Sequence, residues 1–418
     1  MGNEALIDWK TRAWKNPAMV AWYSGRMVEN SGTNRLKNRL EVDLCRRFAI
    51  GENVIDVGVG TGRGSLPLAR DGFCVTGIDS SQAMLDECRR LAGEVPIELR
   101  LGDVARLPVA DGGFDTLVSL NVLVHFPHWR EVLREWARVV REGGRIVFDV
   151  HSLDHLRLAR NREVREEELQ GQDFSGYQTH VASADLIAEA QAIGLGVVAI
   201  VPYGAFLGGG NPNHLLAQAL ERFHWWRRLL SWLAGDEDLF ALALFVEQEI
   251  VARLSPASTG RYMAIFEKGG EATMNAVWLA RESRLRQVLS EAGGVGEVMA
   301  FLGVDAEVMR TRLSDLAMAS PRNGRFLGAL FSAAKHAGLR LPLDGFLTGR
   351  ALSELEGFEM RKRADATAFA MAEGWHDGFP EIQEATAYQG VQLAGMTEYF
   401  LVEQILTRAM NLFSGVRS

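Results

Sequence analysis

A short apolar run that passes directly into a glycine-rich turn is the feature that most constrains the fold of this chain. Residues 54–57 read VIDV, and Gly58, Gly60 and Gly62 follow at alternate positions. A buried strand needs only a few apolar residues, and glycine allows the next turn to bend sharply and bring its backbone close to a ligand. The pattern therefore predicts a strand, a ligand-binding turn and a helix, an arrangement typical of nucleotide-cofactor sites.

Three further segments follow in the order expected of a doubly wound α/β sheet. Residues 73–78 form an apolar run that ends at Asp79, roughly twenty residues after the glycines, where a carboxylate can accept hydrogen bonds from ribose hydroxyls. Residues 97–104 read IELRLGDV, and residues 114–119 read FDTLVS and lead toward Asn121. The first of these segments fits dinucleotides and S-adenosylmethionine equally, whereas the later ones favour S-adenosylmethionine.

In this order and spacing, the four motifs resemble the class I S-adenosylmethionine-dependent methyltransferase family over about residues 15–268. The resemblance implies that the glycines line the methionine end of the cofactor and that Asp79 binds its ribose. Ile78 would pack on the adenine, and Asp103 with Val104 would also lie at that ring. The cofactor-binding residues expected from the resemblance are Tyr23, Arg35, Asp56, Gly58, Gly60, Gly62, Ile78, Asp79, Asp103, Val104 and Asn121.

Two details of the glycine turn disfavour a nicotinamide oxidoreductase. The glycines follow a G-x-G-x-G pattern, with Arg63 where the dinucleotide pattern has its last glycine. Asp56 stands just before the turn, where its carboxylate can order the loop amides or meet the ammonium group of the cofactor. We therefore expect S-adenosylmethionine as cofactor and S-adenosylhomocysteine as product.

The composition indicates a globular enzyme of more than one structural unit. The chain has 418 residues, 47% hydrophobic and 23% charged, so a core of ordinary size and a second module are expected. The net charge of -8 and the absence of a basic stripe disfavour nucleic acid as a partner. Three cysteines, no signal peptide and no long apolar run favour a reducing compartment, and hence the cytoplasm. The histidine and cysteine spacings predict no metal site.

An aromatic-rich segment precedes the predicted sheet, within an N-terminal cap at residues 1–50. In the family that the motifs resemble, such a segment folds over the cofactor. Tyr23 and either Arg35 or Arg39 could then approach the cofactor carboxylate, an arginine through a bidentate pair. The alternative is that the aromatic residues pack on the core and that the arginines form a solvated helix face.

The predicted fold is an α/β, Rossmann-like, seven-stranded sheet with an inserted helical lid. Strands are expected near residues 53–57, 73–78, 97–101, 115–120, 145–150, 197–201 and 262–266, and the resemblance makes the last one antiparallel. The lid insertion spans residues 203–260. Apolar and aromatic residues from Leu216 to Leu233 form one face of a predicted helix in the lid. This face would either pack on the protein or hold a lipid-linked or glycan acceptor.

Beyond the predicted methyltransferase domain of residues 1–268, residues 269–418 read as an all-α C-terminal domain. Helical segments are separated by glycine and proline breaks, and the last helix carries an apolar stripe from Tyr399 to Phe413. This stripe must be buried against the module, the lid or another subunit. A helical scaffold and a homo-oligomerisation or acceptor-docking domain are both compatible with the pattern.

Histidines after the fourth and fifth strands are the candidate catalytic residues. Ligands of open α/β folds bind beyond the carboxyl ends of the strands, which selects His125 and His151. His151, with Asp154 close in sequence to orient it, is the first candidate for a general base, whereas His125 could instead shape the cofactor pocket. We therefore expect O-methylation of a small molecule, sugar or lipid-linked glycan. The alternative is a non-catalytic cofactor-binding scaffold that recruits partners through its C-terminal helices.

Overall fold

The computed structural model of the protein consists of two units. The first is Met1–Pro212 with Leu254–Arg284, and the second is Asn213–Arg253 with Leu285–Ser418. The structure describes Leu6, Arg12, residues 14–28, 32–160, 162–170, 177–205, 237–292 and 295–305, and Val308.

A mixed sheet forms the centre of the first unit and contains all seven predicted strands. Along the chain its strands are β1 (Asn53–Val57), β2 (Cys74–Asp79), β3 (Glu98–Leu101), β4 (Phe114–Ser119), β5 (Val140–Ser152), β6 (His180–Val181), β7 (Leu195–Tyr203) and β8 (Arg261–Lys268). Their order across the sheet is β3-β2-β1-β4-β5-β8-β7, with β6 paired to β5 off this path. The first five strands are parallel to one another, and β8 is antiparallel to β5 and β7, as expected. The predicted Rossmann-like fold is confirmed.

The additional strand β6 follows from the unequal lengths of β4 and β5. In their shared register, Ser119 at the end of β4 lies opposite Phe148, so β4 stops before β5 does. The edge of β5 beyond that point is taken by β6, which pairs His151 with His180 and Ser152 with Val181. A strand of two residues has no periodicity to read, and for that reason the sequence did not reveal it.

Helices cover the sheet of the first unit. They are α1 (Pro17–Val28), α2 (Gly32–Phe48), α3 (Ser65–Arg70), α4 (Gln82–Ala92), α5 (Trp129–Val139), α6 (Leu153–Arg160), α7 (Glu166–Gln170) and α8 (Ser183–Ala192). The N-terminus of α4 is capped by the Ser81 hydroxyl, which accepts a hydrogen bond from the Met84 amide at 3.3 Å. Helix α5 buries Trp129 and Trp136 completely, and Trp136 contacts Phe148 of β5 edge to face. This aromatic contact fixes α5 against the middle of the sheet.

The described part of the second unit is helical. It contains α9 (Glu237–Glu249), the end of α10 (Ala272–Glu291) from Leu285 onward, and α11 (Val295–Leu302). Leu285, Leu289 and Val298 are fully buried. The predicted aromatic face of the lid and the stripe on the last helix lie outside the described residues. The predicted domain boundary at residue 268 stays a prediction. No helix within the described ranges is long and apolar enough to cross a membrane.

Candidate cofactor and acceptor site

The glycine turn after β1 has the backbone geometry that its sequence requires. Gly58, Gly60 and Gly62 all have positive φ angles, of 74°, 52° and 84°. A Cβ on Gly58 would lie 2.2 Å from Cγ2 of Val122, and one on Gly62 would lie 2.8 Å from Sγ of Cys88. At Gly60 the nearest atoms would be 3.9 Å away or more. Neighbouring side chains therefore crowd the two outer glycines, whereas a Cβ on the middle one would make only ordinary van der Waals contacts.

Asp79, at the end of β2, holds the glycine turn by its carboxylate. Its Oδ2 accepts a hydrogen bond from the Gly60 amide at 2.9 Å, and its Oδ1 accepts one from the Ser81 amide at 2.9 Å. Burial raises the pKa of this carboxyl, against the lowering effect of the amide hydrogen bonds. A carboxylate offers about four lone pairs, so the predicted bond to ribose hydroxyls is compatible with this geometry.

Asp56 stands two residues before Gly58 and contacts Ser65, the first residue of α3. It is buried, and its Oδ2 accepts a hydrogen bond from the hydroxyl of Ser65. Burial raises the pKa of Asp56 to about 7, although the hydrogen bond from Ser65 opposes this shift. Of the two roles considered for this carboxylate, the contacts support ordering of the turn and helix.

Of the residues predicted to lie at the adenine ring, one is exposed and two are buried. Asp103 is exposed, and its Oδ1 accepts a hydrogen bond from the Ala105 amide at 2.9 Å. Val104 and Ile78 are core residues, and Ile78 has no exposed surface. Leu101, which pairs with Asp79 in the register of β2 and β3, is 57% exposed. A contact between Ile78 and adenine would therefore require rearrangement, whereas Leu101 already offers apolar surface beside Asp79.

The N-terminal cap reaches the glycine turn through an aromatic group. The ring of Trp14 contacts Tyr23 at 5.5 Å and His125 at 5.6 Å between centroids, edge to face in both cases. Cε1 of Tyr23 would lie 4.0 Å from a Cβ on Gly60. Tyr23 therefore lies beside the turn, and Trp14 links it to His125; the predicted roles of both residues stay predictions.

Helix α2 presents a lysine to the carboxyl end of β4. Nζ of Lys37 donates a hydrogen bond to Oδ1 of Asn121 at 2.9 Å. Arg39 is turned to Asp43, one helical turn further along, at 2.7 Å. Arg35 is half-buried on the same helix, and its predicted contact with the cofactor carboxylate stays a prediction.

A buried ion pair joins β5 and β8 at Asn121. Nη1 of Arg261 lies 3.0 Å from Oδ2 of Asp149 and donates a second hydrogen bond to Oδ1 of Asn121 at 2.6 Å. The other carboxylate oxygen, Oδ1 of Asp149, accepts the backbone N–H of Asn121. The Asp149 side chain is 1% exposed and that of Arg261 11%, so water screens this pair little.

A second buried carboxylate, Glu41 of α2, ties the cap to the turn and to β7. Its Oε1 accepts a hydrogen bond from the Tyr203 hydroxyl at 2.6 Å, and its Oε2 is paired with Arg63, directly after the glycines. Lys37 lies 3.8 Å from the same carboxylate. The arginine that breaks the dinucleotide pattern thus forms part of a charged network.

His151 lies at the carboxyl end of β5, flanked by β6 and β8. It is 2% exposed, its ring centroid is 5.3 Å from that of His180, and strand pairing places it opposite Arg261. Neither ring nitrogen has a hydrogen-bond partner in the described structure. Burial, followed by the charges of Arg261 and Lys37 and the neighbouring imidazoles, lowers the pKa of His151 well below its usual range. The ring is therefore neutral at pH 7.

Asp154 and His155, which follow His151 in the chain, have structural partners. Both the amide and the hydroxyl of Ser183 donate to Oδ2 of Asp154 at 2.8 Å, so this carboxylate caps α8. Nδ1 of His155 lies 2.9 Å from the carbonyl of Ala257. The suggested orientation of His151 by Asp154 therefore has no support from these contacts.

Four charged residues of the site did not emerge from the sequence motifs. One was detectable in principle: Asp149 interrupts the apolar residues 146–150, and a carboxylate in a buried strand needs a partner. Lys37 and Glu41 are spaced four residues apart on a helix, which is common on solvated faces and carries little signal. Arg261 starts the last strand, and only the sheet order brings it to Asp149.

Comparison with known proteins finds methyltransferases among the relatives of this chain. A family model described as Methyltransferase domain matches residues 55–148. A phosphatidylethanolamine N-methyltransferase of Cereibacter sphaeroides is 35% identical over 149 residues, which are 35% of this chain and 69% of that protein. A 27-O-demethylrifamycin SV methyltransferase of Amycolatopsis mediterranei (strain S699) is 29% identical over 273 residues, 64% of this chain and 91% of that protein.

The solved structures that are similar include magnesium protoporphyrin IX methyltransferase (ChlM) from Synechocystis PCC 6803 with bound SAH. It is 19% identical with a TM-score of 0.37, over 47% of this chain and 91% of that one. The chain spans only 32% to 51% of the length of several other curated relatives that it matches. The match to the Cereibacter protein nevertheless covers most of that enzyme. The chain belongs to the S-adenosylmethionine-dependent methyltransferases of class I, and S-adenosylmethionine is its cofactor.

Proposed function

We propose that this methyltransferase acts on an oxygen atom of a small-molecule acceptor, with His151 as the general base. The observation that carries the proposal is a buried, neutral imidazole with two unpartnered nitrogens at the carboxyl end of β5. Buried polar groups are nearly always hydrogen-bonded, so such a group calls for an explanation. A role as general base, in which His151 takes a proton from the bound acceptor, supplies that explanation.

The chemistry asks little of the protein beyond position and proton removal. The cofactor supplies a methyl group that is already activated as a sulfonium. The acceptor must be held in line with the sulfur–methyl bond, and its hydroxyl proton must leave as the new bond forms. His151 would take that proton. Because both of its nitrogens are enclosed, the proposal includes a local opening at the end of β5 when the acceptor binds.

The surroundings of His151 keep it in the neutral state that a base requires, but they also make it a weaker base. Burial, together with the charges of Arg261 and Lys37, lowers the pKa of His151 and disfavours a positive charge on the ring. A base of lowered pKa removes protons best from an acidic hydroxyl. The same cations would stabilise the oxyanion that forms, which favours a hydroxyl acceptor over an amine that is protonated at pH 7.

Similarity to the rifamycin enzyme supports an oxygen acceptor. That relative is matched over 64% of this chain, beyond the shared cofactor-binding core, and its name specifies a 27-O-demethyl compound. The phosphatidylethanolamine enzyme, named for N-methylation, is matched over 35%. A small molecule is therefore proposed ahead of a sugar or lipid-linked glycan. His125 is the second candidate base, and a cofactor-binding scaffold without turnover is the alternative function.

An acceptor screen tests the oxygen assignment. The full-length protein is incubated with S-adenosylmethionine and matched phenols, aliphatic alcohols and amines, and products are identified by mass spectrometry. We expect methyl ethers and release of S-adenosylhomocysteine. N-methylated products alone would contradict the assignment, and cofactor binding without turnover on any acceptor would favour the scaffold.

Substitution of His151 tests the base. His151→Ala should slow kcat by about 10²- to 10⁴-fold and leave S-adenosylhomocysteine affinity unchanged. The wild-type kcat should stay level as the pH falls through 6.5, because the His151 pKa lies well below that value. His128→Gln is the matched control, since His128 directly precedes α5 and its Nδ1 is likewise buried without a hydrogen-bond partner among the described residues. Normal turnover by His151→Ala would remove it as the base.

A further inference from the structure

We propose that Arg261 is a positioning residue for the cofactor. With Asp149, it holds Asn121 in a left-handed backbone conformation, and this conformation keeps the loop after β4 packed on the glycine turn. The inference concerns cofactor binding, so it is independent of the acceptor and of the role of His151.

The backbone of Asn121 is in a region that L-residues avoid. Its φ is +60°, and among the residues that the structure describes it is the one non-glycine residue with a positive φ. Asparagine tolerates this region better than most residues, yet the conformation still requires support from its surroundings. The support must come from contacts that a relaxed loop would lose.

Three hydrogen bonds supply this support, and Arg261 takes part in the group. The Asn121 amide donates to Oδ1 of Asp149, while the Asn121 side-chain oxygen accepts from both Arg261 and Lys37. One Arg261 nitrogen, Nη1, reaches Oδ2 of Asp149 as well as Asn121. Arg261 therefore neutralises the buried carboxylate that holds the backbone of Asn121 and also holds its side chain. We name these residues, Lys37, Asn121, Asp149 and Arg261, the Asn121 clamp.

The Asn121 clamp acts on the cofactor turn through the next residue. Val122 is buried, and its side chain packs next to Gly58. A Cβ added to Gly58 would lie only 2.2 Å from Cγ2 of Val122. A change in the backbone of Asn121 would move this side chain against the first glycine of the turn. Cofactor affinity should therefore depend on Arg261, which lies on the opposite side of β5 from β4.

The orientation of the Asn121 amide follows from the same contacts. Its oxygen must face the two cations, because the opposite orientation would place an NH₂ group against two donors. The NH₂ group is then the side chain's remaining donor. The Asn121 clamp thus sets both the loop backbone and the direction of one polar group.

A double-mutant cycle between Arg261 and Asn121 tests the proposal by calorimetry with S-adenosylhomocysteine. Arg261→Gln should weaken binding by about tenfold, which corresponds to about 1.4 kcal/mol. In the Asn121→Gly background the same change should cost less than about threefold, because glycine adopts positive φ without support. Equal losses in the two backgrounds would overturn the proposal, since a general structural role of Arg261 predicts additivity.

Two further variants serve as a control and as a substitute for Arg261→Gln. Arg145→Gln alters another arginine of the sheet, 3.7 Å from Glu267, and should leave the affinity unchanged in both backgrounds. If Arg261→Gln fails to fold because Asp149 is left unpaired, Asp149→Asn replaces it in the cycle, since that change removes the buried charge. The same dependence on the residue at position 121 is expected, and its absence would also overturn the proposal. Because the readout is binding, an error in the His151 assignment would not affect the result.

Discussion

Alanine at Gly58 should destabilise the protein in proportion to two separable costs. The first is the left-handed backbone at φ 74°, which costs an alanine about 1–2 kcal/mol. The second is the overlap of the new methyl group with Val122, at 2.2 Å, and relieving such an overlap in a packed core costs about 1–3 kcal/mol. Gly58→Ala should therefore lower the free energy of unfolding by about 2–5 kcal/mol.

Two other glycines separate these costs. Gly194 has φ 77°, and nothing would lie within 4 Å of an added Cβ, so Gly194→Ala should show the backbone cost alone. Gly60 has φ 52° and no neighbour closer than 3.9 Å, so its apparent stability cost should match that of Gly194. Its methyl group would, however, enter the space assigned to the cofactor. Gly60→Ala should thus weaken S-adenosylhomocysteine binding by about 5- to 150-fold, equivalent to about 1–3 kcal/mol of overlap.

Urea unfolding and calorimetry of the three variants provide the test. Stability is compared through the urea midpoint at unchanged slope, and affinity through the dissociation constant for S-adenosylhomocysteine. The expected order of destabilisation is Gly58→Ala first, with the other two alike, whereas Gly194→Ala alone should bind normally. A Gly58→Ala midpoint equal to that of Gly194→Ala would refute the packing argument. Wild-type affinity in Gly60→Ala would refute the placement of the cofactor at the turn.

Two further changes address the carboxylates of the site. Asp79→Ala should weaken S-adenosylhomocysteine binding by about 1–3 kcal/mol, because it removes the acceptor of the Gly60 amide and the predicted ribose ligand; unchanged affinity in calorimetry would rule out that ligand. Asp56 has a folded-state pKa of about 7, raised above its unfolded value, so its contribution to stability is full below about pH 4 and is lost as the pH rises through 7. Relative to the wild type, Asp56→Asn should therefore gain up to about 4 kcal/mol between pH 4 and pH 8, as measured by urea midpoints, and a constant difference would show that Asp56 stays ionised throughout.

The elements predicted well are those with local causes. Strands β1, β2 and β4 were found because parallel strands buried on both faces read as short apolar runs between turn residues. The start of α4 has a local cause in Ser81, whose hydroxyl caps the helix. Gly58, Gly60 and Gly62 were placed correctly because positive φ angles leave a direct trace in the choice of residue. In each case a few neighbouring residues carry the whole physical reason.

Helix α2 shows where local reasoning stops. The sequence made the helix evident and offered Arg35 or Arg39 for the cofactor carboxylate, but it did not single out Lys37, which contacts Asn121. Which face of a helix meets the sheet depends on its rotation about its own axis. Leu36 and Leu40 set that rotation by their burial, and this burial is a property of the packed structure.

What the sequence determined by itself is the succession of strands along the chain, the glycine turn and the acidic residue after β2. These features are local, because each depends on residues close in the chain. The tertiary structure decided the charged part of the site, in which Arg261 meets Asn121 across 140 positions and Asp149 across 112. Such contacts depend on β8 lying beside β5, and strand order leaves no periodic pattern in the residues that it brings together.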